Sequence, residues 1–103
     1  MAVLYISEYV TQPWDGVANT IPAGLEPALV TQTVAIGAEA KSAAFNARTR
    51  FVRVHTDAIC SVLFGANPTA TTSSPRMAAN QTEFFGVDPS QVSGLKLSVI
   101  ANT

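Results

Sequence analysis

The chain has one cysteine, one histidine and one tryptophan, and only 13% of its residues carry a charge. Each shortage excludes something. A single thiol, Cys60, cannot form an internal disulfide. A single imidazole, His55, leaves any zinc site short of ligands, because its remaining donors would have to come from scattered carboxylates. The acids Glu8, Asp15, Glu26, Glu39, Asp57, Glu83 and Asp88 stand singly, with no spacing of a calcium loop or a glycosidase pair. No cofactor is therefore expected. Gly16 and Gly24 lie too far apart for a phosphate-cradling loop and lack the Lys-Ser/Thr that would follow one.

The N-terminus has no basic region before an apolar run, so it does not read as a signal peptide. No apolar run approaches the ~20 residues of a membrane span, and no membrane association is expected. Without a secretory signal, the triplet Asn80-Gln81-Thr82 reads as a chance match to a glycosylation site. The net charge is −1, and the only basic grouping is Arg48, Arg50 and Arg53. Three charges cannot neutralise the several phosphates that nucleic-acid binding requires.

What the chain does have is apolar residues, 48% of its 103 positions. That excludes a disordered tail. The length fits one domain. So few charges on so apolar a chain imply that part of its surface is covered by a partner.

The apolar residues are patterned for strands. Ala2 to Val10 reads as one strand and Ala28 to Ile36 as another, with Val30, Gln32, Val34 and Ile36 on one face. Between them, residues 11–27 form a turn-rich arm whose Trp14, Val17, Ile21 and Leu25 need an outside surface. Ala38 to Arg48 is alanine-rich but uncapped and has no apolar stripe, so a strand or loop is expected there rather than a helix. Arg50–Thr56 and Ala58–Gly65 read as a hairpin turning at Asp57, and 76–79 with 81–87 as a second, turning at Ala79-Asn80. Residues 66–75 are a Thr/Ser-rich loop bounded by Pro68 and Pro75, and 95–101 is the last strand.

Six to eight short strands without an amphipathic helix give an all-β expectation: a single small β-sandwich or jelly-roll-like barrel. Residues 1–27 would be its N-terminal strand and extended arm, and 28–103 the β domain. Phe51, Val54, Ile59, Val62, Phe64, Phe84, Leu97 and Val99 are expected to supply much of the core.

The sharpest catalytic grouping is His55 with Asp57 and Cys60 or Ser61, all from one proposed hairpin. A strand-end histidine, a turn-forming aspartate and a small buried thiol describe the same residues more simply. No catalytic residue is assigned, and the chain reads as non-enzymatic.

Several stretches resemble small structural proteins of tailed bacteriophages. They are Ala44 to Ser61 (AFNARTRFVRVHTDAICS), Phe64 to Thr71 (FGANPTAT), Arg76 to Val87 (RMAANQTEFFGV), Leu95 to Ile100 (LKLSVI) and Leu4 to Tyr9 (LYISEY). Residues 11–27 carry the least of the likeness. The resemblance implies a virion component assembled in the host cytoplasm. Its best-fitting role is capsid decoration, or cement, on the outside of the head. The implied partners are the major capsid protein and further copies of the chain, as a trimer in preference to a dimer. The residues expected at such interfaces are Tyr5, Tyr9, Trp14, Val17, Ile21 and Leu25. A host-glycan-binding, adhesin-like virion protein is the alternative from a different class. A head–tail connector or tail accessory protein is another.

Overall fold

The protein is described by a computed structural model covering residues 2–11 and 24–102. Among the described residues there is no helix. The strands are β1 (Val3–Tyr9), β2 (Val30–Ala35), β3 (Ala40–Lys41), β4 (Phe51–Thr56), β5 (Cys60–Gly65), β6 (Arg76–Met77), β7 (Thr82–Gly86) and β8 (Lys96–Ala101). They form two antiparallel sheets of four strands each, ordered β2-β1-β4-β7 and β3-β8-β5-β6.

Alternation decides which side chains face the shared core. On the first sheet Leu4, Ile6, Val34, Val52 and Val54 point inward, and on the second Cys60, Val62, Met77, Leu97 and Val99 do. Leu4 pairs in register with Val34 and Thr56, and Ile6 with Gln32 and Val54, so the inward rows line up across strands. Phe45 and Leu95 fill the core from outside the strands.

Two of the expected core residues lie on the other face. Phe51 and Phe84 project outward from β4 and β7, and Phe84 is 45% exposed. Val52 and Val54 occupy the inward positions of β4, so the odd-numbered residues of that strand must face out. Ile59 and Phe64 are half-buried, whereas Val54, Val62, Leu97 and Val99 are buried as expected.

Both expected hairpins are corrected. The chain does reverse at Asp57, where Thr56 Oγ1 accepts a bond from the Ala58 amide at 3.2 Å. But β4 already has β1 on one edge and β7 on the other, so β5 cannot pair with it and crosses to the opposite sheet. The turn at Ala79-Asn80 is also real, with Asn80 in the left-handed region at φ 58°. Its flanking strands part in the same way: β6 joins β5 and β7 joins β4.

Residues 38–48 are extended or irregular apart from β3. A helix there would forfeit specific bonds. The Ser42 amide donates to the Leu97 carbonyl at 2.8 Å, the Phe45 amide to the Leu95 carbonyl at 2.8 Å, and Phe45 is buried. β1 is an interior strand of its sheet, paired with β2 on one edge and β4 on the other.

Candidate functional site

The two sheets differ on their outer faces. Ser61 and Ser98 alternate with core residues on β5 and β8, so they face outward, yet both are fully buried. The Thr/Ser-rich loop covers them. The Ala70 amide donates to Ser98 Oγ at 2.9 Å, and Asn102 Nδ2 bridges Ser61 Oγ at 2.7 Å and the Thr72 carbonyl at 3.0 Å. Pro68 and Ala70 of this loop are themselves buried. This segment therefore covers part of that face, and Leu63 on the same side of β5 stays exposed.

On the other sheet, the returning chain at Gly24 and Glu26 covers Tyr9 at one end of the outer face, while Tyr5 and Phe84 stay exposed. Its rows follow from the register. Thr33, Tyr5, His55 and Thr82 form one row, and Thr31, Ser7, Arg53 and Phe84 the next. Tyr5 is 44% exposed, and its ring lies 6.2 Å from that of His55. His55 Nδ1 is 2.8 Å from Thr82 Oγ1, which fixes the imidazole across the strand pair. Tyr5, Ser7, Thr31, Thr33, Arg53 and His55 line an open depression of about 600 Å³.

A second, smaller groove of about 260 Å³ lies at the end of this sheet, lined by Tyr9, Val10, Leu25, Pro27, Leu29 and Arg48, with Thr11. Leu25 is 50% exposed there, beside exposed Val10. The Leu25 amide donates to the Thr11 carbonyl at 3.1 Å, so the chain leaves and returns at one point.

The expected interface residues separate accordingly. Tyr5 lies on the open face and Leu25 on the rim. Trp14, Val17 and Ile21 lie outside the described residues. Tyr9 is buried: its ring stacks on Phe51 at 5.3 Å, and its hydroxyl donates to Glu26 Oε2 at 2.7 Å. Burial first, and then the Glu26 carboxylate, push its phenol above the usual tyrosine range. Gly24 is required by this packing, because a Cβ there would overlap the Tyr9 ring.

The structure does not assemble the grouping of His55, Asp57 and Cys60. His55 is on the outer face, Asp57 is exposed at the turn, and Cys60 points into the core. Burial pushes the Cys60 thiol up, partly opposed by the Thr56 hydroxyl 3.5 Å from Sγ. Cys60 is accordingly expected to be inert to Ellman's reagent in the folded chain and to react fully in denaturant. Labelling at the native rate of a free thiol would show that β5 opens readily.

The three arginines do not form one patch. Arg50 Nη1 bonds the Ala47 and Thr49 carbonyls and lies 3.8 Å from Asp88, Arg48 lines the rim groove, and Arg53 stands on the open face. Among the described residues, no group of three or more His, Cys, Asp or Glu could hold a metal ion.

Sequence reasoning missed Phe84 as a surface aromatic, and it missed the loop's role as a cover. The Tyr5 and Arg53 positions were legible as odd-numbered strand residues, but their shared face needed the β1–β4 register. In comparisons with known proteins, no family model, curated protein or solved structure matches this chain.

Proposed function

We propose that this protein is a structural component of a tailed-bacteriophage virion, a decoration protein that binds the major capsid protein lattice and neighbouring copies of itself. The observation that carries this reading is the apolar rim. Leu25 and Val10 stand exposed beside Leu29 and Pro27, where the Leu25 amide donates to the Thr11 carbonyl. Trp14, Val17 and Ile21, between Val10 and Leu25 in the sequence, lie outside the described residues. Covering a Leu or Val side chain contributes about 1.5–3 kcal/mol, so a few such residues make a usable docking patch.

Decoration then works by mass action. A subunit that binds only the assembled lattice stabilises that state over the others. The fold assigned to this role is a β-sandwich of jelly-roll type. Its pairs β5/β6, β4/β7, β3/β8 and β2/β1 are those of a two-stranded ribbon rolled onto two sheets. Read from β2 with β1 taken last, the order is cyclic, so the closing strand comes from the N-terminal end. Jelly rolls occur in viral capsid proteins, which supports the reading only as an analogy of fold.

The test is binding to particles. Leu25→Glu combined with Val10→Thr is expected to lower occupancy on capsids at least ~10-fold and to remove any thermal protection of the head, since it places a charge in the contact. Circular dichroism of the isolated variant should stay β-type. Unchanged occupancy would place the contact elsewhere. Electron microscopy of labelled particles decides between head, connector and tail.

A further inference from the structure

The open depression on the first sheet suits a ligand different from a capsid subunit. Four of its polar groups have no partner. The Tyr5, Thr31 and Thr33 hydroxyls and the Arg53 guanidinium make no hydrogen bond or ion pair among the described residues. His55 is held through one ring nitrogen by Thr82, which leaves the other for a ligand.

Among the described residues, the charge on this face has one sign. The outward residues of its strands are Val3, Tyr5, Ser7 and Tyr9; Thr31, Thr33 and Ala35; Phe51, Arg53 and His55; and Thr82, Phe84 and Gly86. None is acidic. Of the acids near the sheet's ends, Asp88 is engaged by Arg50 and Ser90, and Glu26 by Tyr9. Among the described residues Arg53 is thus an unpaired guanidinium, half-buried between rows of aromatic rings and hydroxyls.

From this arrangement we propose that the face binds a carboxylate-bearing saccharide, of the uronic-acid type. A guanidinium presents a planar fork that matches a carboxylate through two parallel bonds. Tyr5 offers an exposed ring for the apolar face of a sugar, and its hydroxyl with those of Thr31 and Thr33 meets the sugar hydroxyls. The depression, about 600 Å³, is within the size range of ligand sites and is floored by three paired strands, so it is largely pre-formed.

A protein hot spot would want a dry apolar centre, and here the centre is polar. A nucleic-acid strand would find one guanidinium where several phosphates need neutralising. This proposal does not depend on the virion reading, because it uses a different surface from the Leu25 rim.

The experiment titrates the full chain with trigalacturonate, followed by amide chemical shifts and calorimetry, beside its methyl-esterified form. Shifts are expected on β1, β2 and β4. The ester should bind at least ~10-fold more weakly, as expected for loss of a charge-assisted bidentate contact. Arg53→Gln and Tyr5→Ala should each weaken binding ~10-fold or more with an unchanged circular dichroism spectrum. Arg53→Lys should fall between Gln and the parent, and Leu25→Glu should bind normally. Equal binding of acid and ester, shifts confined to the Leu25 rim, or no shifts at 10 mM saccharide would each overturn the proposal. So would self-association that buries Tyr5, since a second copy would then be the occupant.

Discussion

Leu97→Ala is expected to destabilise the fold by about 3–5 kcal/mol, the largest effect of any single truncation considered. Leu97 is fully buried near the start of β8 and faces Phe64 across the β5–β8 register. Its strand is interior to the second sheet, with β3 on one edge and β5 on the other. Its backbone is pinned as well: the amide donates to Ser42 Oγ at 2.9 Å and the carbonyl accepts from the Ser42 amide at 2.8 Å. The surrounding sheet therefore cannot collapse far into the cavity, which puts the cost toward the upper part of the range. A domain of this size has about 5–15 kcal/mol in hand, so the loss is a large fraction of the total. Urea unfolding should show a lower midpoint with an unchanged slope. Phe84→Ala is the matched control. It removes a larger side chain, but one that is exposed, and should cost no more than ~1 kcal/mol. If the two variants exchange places, the inward and outward faces have been assigned the wrong way round.

That contrast marks where the sequence stops being informative. The alternation of β2 and β8 is unambiguous, and Val34, Leu97 and Val99 face inward as read. In β4 the apolar residues Phe51 and Val52 are adjacent, so alternation allows two parities. Only the pairing of Val52 with Glu8 and Phe85, and of Val54 with Ile6, selects one. The turn residues at Asp57 and Asn80 were equally legible. What each strand pairs with after the turn was not, because a turn fixes reversal and the unfilled sheet edges fix the partner. The site divides in the same way. Tyr5 and Tyr9 share a parity on β1, yet one is a surface ring and the other a buried one. The difference comes from Gly24 and Glu26, which bring the returning chain over Tyr9 alone.

Glu8 shows how much a single parity can decide. It follows Leu4 and Ile6 on the inward face of β1, and it is fully buried. Its Oε1 accepts from the Asn46 amide at 2.8 Å and from Thr49 Oγ1 at 2.7 Å, while Oε2 has no partner. The carboxyl thus ties residues 46–49 to the sheet, next to buried Phe45 and to Arg48 on the rim. Glu8→Ala would leave the part-buried Asn46 amide and the buried Thr49 hydroxyl unpaired and open a cavity. The expected cost is about 2–4 kcal/mol. Glu8→Gln keeps an acceptor in the place of Oε1 and changes the volume little, so it should stay within ~1 kcal/mol of the parent. Hydrogen exchange localises the effect: the Asn46 amide should lose protection in the Ala variant and keep it in the Gln variant. Equal losses in both would mean that the second carboxyl oxygen matters beyond the two hydrogen bonds to Oε1. Equal stability of all three would mean that the 46–49 segment is held by Phe45 packing alone.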